Sequence, residues 1–100
     1  MIDVDRIHKV LAHPLRREIL RWLKSPGLHF PENRSHHPDS VSIGSIHART
    51  KLSQSTVSAH LAMLTQAGLL KMQRVGQWVY VSRDEETIRL FVAHLAEDLE

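Results

Sequence analysis

The chain has 100 residues, 42% of them hydrophobic, and a formal net charge of +2. This length fits one small domain spanning residues 1–100, and the limited core of such a domain favours oligomerisation. The sequence contains no cysteine, which excludes disulfides and thiolate metal sites. No apolar run is long enough to cross a bilayer, so we expect a cytoplasmic protein with no membrane partner.

The charges are distributed unevenly along the chain. Residues 40–83 contain no Asp or Glu, whereas the tail from Asp84 carries six acids against Arg89. This asymmetry indicates one face suited to an anion and another turned away from it. The charged residues of the acid-free window are all basic: Arg49, Lys51, Lys71, Arg74 and Arg83.

Two helices are predicted in the first quarter of the chain. Apolar residues recur at helical spacing over Val4–Leu11. Pro14 suits the first turn of a second helix, because its missing N–H would be unsatisfied there anyway. This second helix is expected to run to about Leu23 or Lys24.

Residues 25–41 are predicted to form a long irregular loop. They contain three prolines together with Gly27, Asn33 and a run of polar residues. A loop of this length is unusual in a compact domain unless it is functional or disordered. It could therefore carry a site for an inducer.

A helix-turn-helix is predicted over residues 43–66. The first helix covers Ile43 to Arg49 or Thr50, and a turn at Lys51 and Leu52 leads into a second helix from Gln54 to Gln66. Ser53 is suited to cap this second helix, and Gly68 to end it. If Lys51 adopts the left-handed conformation that glycine favours, the cost is about 1–2 kcal/mol.

A β-hairpin is predicted over residues 69–82, with strands at Leu69–Val75 and Gln77–Ser82 around Gly76. A last helix follows from about Glu85 to residue 99. The chain is therefore predicted to be mainly α with a small β-hairpin. Four helices, a hairpin and a final helix make a winged helix-turn-helix.

The second helix of the helix-turn-helix has the composition of a DNA-reading element. Its outer face carries small and hydrogen-bonding side chains, which let a backbone approach a groove and bond to base edges or phosphates. The first turn has no acid, so its backbone N–H groups are free to meet a phosphate. The residues that offer contacts are Gln54, Ser55, Thr56 and Ser58, with Arg74 and Gln77 at the hairpin tip.

Three segments resemble the ArsR/SmtB family of bacterial winged-helix repressors. They are LAHPLRREILRWL at 11–23, LSQSTVSAHLAMLTQAGLL at 52–70 and RVGQWVYV at 74–81. The resemblance implies a homodimer paired through its first and last helices (2–12 and 85–99), which represses a promoter until an inducer releases it. It places the dimer surface on Val4, Ile7, Leu11, Ile88, Phe91 and Leu95. It also adds Ser53 and His60 to the DNA contacts. His60, however, lies closer to the predicted buried stripe of Val57, Leu61 and Leu64 at i, i+4 and i+7, where packing or a phosphate contact suits it better than base reading.

The sequence departs from the metal-sensing members of that family. Where metalloid sensors carry cysteines, this chain has Ser42, Gly44 and His47 or their neighbours. The residues nearest to the family's zinc ligands are carboxylates, which suit zinc poorly as a set. We therefore expect no metal and no cofactor. The remaining weak candidates for a metal site are His29, His36, His37, His47, His94 and Glu97.

These features predict a sequence-specific DNA-binding repressor that acts as a homodimer on an inverted-repeat operator and responds to a non-metal inducer of unknown identity. One alternative is a histidine/carboxylate metal-sensing repressor of the same fold. Another is a winged-helix protein-interaction module that does not bind DNA. An enzyme is not expected, because no nucleophile has an evident base and orienting group.

Overall fold

The computed structural model describes residues 2–33 and 39–100. Within these ranges the chain forms six helices and three strands. Their order is α1 (Val4–Leu11), α2 (Pro14–Lys24), α3 (Pro26–His29), β1 (Val41–Ser42), α4 (Ile43–Thr50), α5 (Gln54–Gln66), β2 (Leu70–Val75), β3 (Trp78–Arg83) and α6 (Glu85–Leu99).

Side chains next to the helix starts fix where most of the helices begin. Asp3, Ser42, Ser53 and Asp84 each accept a hydrogen bond from a backbone N–H in the first turn of the helix that follows. His13 does the same for α2 through its ring nitrogen, just ahead of Pro14. Such caps satisfy donors that a helix leaves unpaired at its N-terminus. The bounds of α5 are those predicted, because Ser53 sets its start.

The sheet has a third strand that the sequence pattern did not predict. Its order is β1-β3-β2 and all pairs are antiparallel. Val81 on β3 lies opposite Val41 on one side and Met72 on the other. A two-residue strand has no readable periodicity, and it forms here because β3 offers a free edge.

The prediction of an irregular loop over residues 25–41 is therefore wrong at both ends. Residues Pro26–His29 form a short helix, and Val41 belongs to β1. Pro26 starts this helix at a position where proline is tolerated. The two aromatic rings of Trp22 and Phe30 pack edge to face at 6.3 Å between centres, which holds the short helix against α2.

The core lies between α5 and the N-terminal helices, and the sheet closes one side of it. Every side chain in this core that is fully buried and large is aliphatic. On α5, the predicted stripe at i, i+4 and i+7 is confirmed as the buried face. The fully buried residues are Ile7, Val10, Ile19, Val41, Ile46, Val57, Leu61, Leu64, Leu69 and Val81.

Two residues of the predicted dimer surface belong to this core instead. Ile7 has no exposed surface, and Phe91 is 5% exposed and packs edge to face on His8. A side chain already enclosed by its own protomer has no surface left for a second copy. Val4, Leu11, Ile88 and Leu95 are half-buried at the margin of the core.

Among the described residues, no helix is both long enough and apolar enough to cross a membrane.

Candidate nucleic-acid interface

The N-terminus of α5 presents a cluster of hydroxyl groups to solvent. Ser53 Oγ accepts the Thr56 N–H at 3.2 Å and donates to Thr56 Oγ1 at 2.7 Å. Ser55 Oγ lies 3.4 Å from the same Ser53 oxygen. All three side chains are exposed. The hydroxyl groups thus stand beside backbone N–H groups at the positive end of the helix dipole, where a phosphate is favoured.

The outward face of α5 is small and polar, as the sequence predicts. Gln54, Ser55 and Ser58 are exposed, and the neighbouring Ala59 adds no bulk. Because Val57, Leu61 and Leu64 anchor the opposite face at 0% exposure, the helix orientation is fixed. A rigid helix with short polar side chains on its free face can approach the floor of a major groove.

The turn between α4 and α5 depends on Thr50 and Lys51. Lys51 adopts the left-handed conformation, with φ of 59°, and its N–H bonds to the carbonyl of His47. Thr50 Oγ1 donates to the same carbonyl at 2.9 Å and accepts the Leu52 N–H at 3.2 Å. The turn is short and internally bonded, and it leaves the Lys51 side chain exposed beside the start of α5.

The β2–β3 hairpin extends a second contact surface next to α5. Gly76, with φ of 63°, makes the two-residue turn with Gln77, since a tight hairpin requires positive φ there. Arg74 lies opposite Val79 and on the same strand face as Met72. Met72 lines a shallow apolar groove with residues of α5, so the Arg74 face is the one that adjoins this helix.

The basic residues of the acid-free window fall into two groups. Arg49 donates to the carbonyl of His29, and Arg83 donates to the carbonyl of Leu20 and to Glu85. These two are used inside the fold. Within residues 2–33 and 39–100, the side chains of the other three have no hydrogen-bonding or ionic partner and are exposed: Lys51, Lys71 and Arg74.

His60 is separated from the other predicted DNA contacts. It is half-buried, and its Nδ1 accepts a hydrogen bond of 3.0 Å from Arg16 Nε. The ring of His13 lies 4.5 Å from its centre. Burial first, and then the charges of His13 and Arg16, lower the pKa of His60 below the usual histidine value. His60 therefore packs against α2 as a neutral acceptor.

The weak metal candidates that the structure describes do not lie together as a set of metal ligands. His29 contacts Arg49, and His94 pairs with Asp98 over 3.1 Å on α6. His36 and His37 lie outside the described residues. Over the two described ranges, no three histidine or carboxylate side chains are grouped so as to hold a metal ion.

Known proteins are similar to this chain in both sequence and fold. Residues 11–73 match the family described as a helix-turn-helix domain. The HTH-type transcriptional regulator YbzH of Bacillus subtilis (strain 168) is 39% identical over 84 residues, which cover 82% of this chain and 84% of YbzH. The chain belongs to the helix-turn-helix family of transcriptional regulators.

Two solved structures resemble this chain over most of its length. One is the homodimeric winged helix-turn-helix DNA-binding domain Mb0332 of Mycobacterium bovis, a possible ArsR-family regulator; it is 29% identical with a TM-score of 0.68, over 97% of this chain and 82% of that one. An ArsR-like regulator of Rhodococcus sp. RHA1, at 20% identity, shares the fold with a TM-score of 0.70 over 94% of this chain and 76% of that one. The predicted winged helix-turn-helix is therefore confirmed, and the resemblance to ArsR-family regulators extends to these solved structures.

In this helix-turn-helix regulator, sequence reasoning missed two residues that contact His60 on α5, namely Arg16 of α2 and His13, which caps that helix. Arg16 lies on the polar side of the α2 sequence, yet it is half-buried against His60. His13 was not singled out at all. A histidine in the capping position directly before a proline is the one local signal that could have drawn attention to it.

Proposed function

We propose that the protein is a sequence-specific DNA-binding repressor that acts as a homodimer on an inverted-repeat operator. Helix α5 enters the major groove, and the hairpin tip contacts the adjoining backbone or minor groove. The observation that carries this proposal is the exposed, acid-free outer face of α5 with the unpaired charges of Lys51 and Arg74 beside it. The comparisons support it by placing the chain among transcriptional regulators.

The homodimer is proposed to form through α1 and α6. With Phe91 committed to the core, α6 retains an apolar seam at the i, i+4, i+7 and i+11 spacing of a helix pair. Ile88 and Leu95 are half-buried in this seam, whereas Val92 is 56% and Leu99 is 79% exposed. The homodimeric state of Mb0332 supports this assignment. Two-fold symmetry would then place two copies of α5 about one helical turn of DNA apart.

Release of the operator is assigned to a non-metal signal. In support of this, His29 already contacts Arg49 and His94 pairs with Asp98. A zinc or nickel titration of the operator complex, followed by fluorescence anisotropy, tests the metal-sensing alternative. Release at stoichiometric metal would support that alternative over a non-metal signal.

Selection from a random-sequence DNA library tests the function directly. Immobilised protein should enrich a two-fold symmetric motif, and a labelled duplex of about 30 bp carrying it would span both half-sites. Affinity for this duplex should fall steeply with salt, because phosphate neutralisation releases counterions. Failure to enrich any motif, with binding indifferent to salt, would contradict the proposal.

Charge reversal on the proposed interface sharpens the test. Ser55→Glu and Arg74→Glu should each abolish binding to the selected duplex, because they bring a carboxylate against phosphates. Arg89→Glu is the matched control: Arg89 is exposed on α6, outside the acid-free window, and its reversal should leave binding intact. Retained binding in both interface variants would contradict the assignment of the DNA-contacting surface to α5 and the hairpin tip.

A further inference from the structure

Among the described residues, two side-chain hydrogen bonds reach the recognition helix α5 from other elements. Arg6 Nη2 donates to Gln66 Oε1 at 3.4 Å, close to the end of the helix. Arg16 Nε donates to His60 Nδ1 at 3.0 Å, near its middle. The second bond is shorter and part-buried. It is therefore the stronger of the two polar contacts that fix the helix against the body of the domain.

This contact exists only while His60 is neutral. An imidazole nitrogen can accept a hydrogen bond from Arg16 only when it carries no proton, since a charged imidazole donates from both nitrogens. The His13 ring stands 4.5 Å from the His60 ring, at 58°. Its own Nδ1 accepts the Leu15 N–H at 3.2 Å, so the capping bond of α2 also requires an unprotonated nitrogen.

Protonation would place positive charge on the acceptor and turn attraction into repulsion. His60 would then face the permanent charge of Arg16 at hydrogen-bond distance, with His13 beside it. Arg16 also lines a cleft of about 380 Å³ together with Asp5 of α1 and its capping residue Asp3, whose carboxylates are candidate alternative partners for the guanidinium. The contact between α2 and α5 can therefore open without leaving the guanidinium unpaired.

The remaining ionisable groups on the elements around His60 do not offset this effect. Helix α5 carries no charged residue of its own. The α1 cleft also contains Arg6 and Lys9, which are cationic. The other groups on packed elements are Arg17, Glu18, Arg21 and Lys24 of α2, where Glu18 pairs with Arg21, together with His8 of α1, His47 and Arg49 of α4, and Lys71 and Arg74 of β2.

We propose that the Arg16–His60 hydrogen bond, flanked by the His13 ring, is a pH-sensitive contact that positions the recognition helix, so that acidification weakens DNA binding. This inference rests on the proposed DNA-binding function. Direction matters, because acidification ordinarily strengthens the binding of a histidine-rich protein to DNA by adding positive charge. A loss of affinity that depends on His60 cannot come from that general effect.

The test compares wild type with His60→Asn, whose side-chain oxygen can accept from Arg16 at any pH. Both proteins are titrated with the selected duplex at constant ionic strength between pH 8.0 and pH 5.5. Between these limits, wild type should lose at least about fivefold in affinity relative to His60→Asn, the factor expected for one net hydrogen bond. His94→Asn, which removes a histidine of α6, is the control and should follow wild type.

Each outcome decides one question. If wild type fails to bind the duplex at pH 8.0, the proposed function is wrong and this inference falls with it. If wild type binds at pH 8.0 but runs parallel to His60→Asn down to pH 5.5, the inference alone is wrong. A relative gain of wild-type affinity on acidification would also overturn it, because His60 would then be contacting a phosphate. Circular dichroism at both limits ensures that folded proteins are compared.

Discussion

The guanidinium carbon of Arg49 lies 4.7 Å from the centre of the Trp22 ring and 5.8 Å from that of Phe30. The same group donates to the carbonyl of His29 at 3.1 Å. One arginine at the end of α4 thus joins the helix-turn-helix to the short helix α3 and to α2. A residue that the charge pattern assigns to the DNA-facing side is used to hold the domain together.

We expect Arg49→Ala to destabilise the protein by about 1–2 kcal/mol. The loss combines a cation–π contact on Trp22 with a hydrogen bond to His29. Urea unfolding followed by far-ultraviolet circular dichroism measures it. Lys71→Ala is the control, because the Lys71 side chain is exposed and has no hydrogen-bonding or ionic partner among the described residues; its change should stay within about 0.5 kcal/mol. Equal stability of the two variants would contradict the structural role of Arg49.

Replacing Lys51 with glycine should stabilise the fold and weaken DNA binding together. Relief of the left-handed conformation is worth about 1–2 kcal/mol, offset by about 0.5–1 kcal/mol for the greater freedom of an unfolded glycine. The difference is a net gain of up to about 1.5 kcal/mol, read from urea midpoints. In DNA titrations the slope of log affinity against log salt should become shallower by about two phosphate contacts, one from each protomer of the dimer.

The reference for that experiment is Gly68→Ala, which replaces a glycine by a residue with a side chain. Gly68 ends α5 with φ of 84°, and the Leu69 N–H beyond it bonds back to the Leu64 carbonyl. A Cβ at Gly68 would also meet Thr87 Cγ2 at 3.5 Å. Gly68→Ala should therefore lose about 1 kcal/mol or more. If Lys51→Gly also destabilised the protein, the strain assigned to Lys51 would be wrong.

The stability of the free protein should depend on pH through His60. Because folding lowers the pKa of this residue, the unfolded chain binds the proton more tightly than the folded one. The contribution of His60 to the free energy of unfolding is therefore complete above the unfolded pKa of about 6.5, and it is lost as the pH falls toward the pKa of the folded state. Between pH 7.5 and pH 5.5, the urea midpoint of wild type should fall relative to that of His60→Asn, whose amide takes up no proton in this range. A constant difference would contradict the shift.

Two substitutions on opposite sides of α6 test whether its apolar seam forms the dimer interface. Val92 lies in the proposed seam, and Leu90, which is 48% exposed, lies about 160° further around the helix. Val92→Glu should shift the protein from dimer to monomer in light scattering after gel filtration. Leu90→Glu should remain dimeric. If both variants behaved alike, the seam at Ile88, Val92, Leu95 and Leu99 would not be the interface.

The sequence by itself determined the local elements of this regulator. Ser53 as a cap, the Val57, Leu61 and Leu64 stripe, and Gly68 as a stop are features of neighbouring residues, so α5 could be placed without knowledge of the rest. The same holds for the turn at Gly76. Helical periodicity and capping act within a few residues, and the acid-free window could be read by inspection.

Only the tertiary structure decided which surfaces those elements expose. Ile7 and Phe91 read as an interface but fill the core, and β1 exists because β3 has an edge to pair with. Arg16 and His60 are 44 positions apart, and nothing in either segment specifies their bond. Such pairings depend on how the helices pack, which the pattern of any single helix does not contain. The sequence therefore indicated the face that we propose meets DNA, and packing determined what holds that face in place.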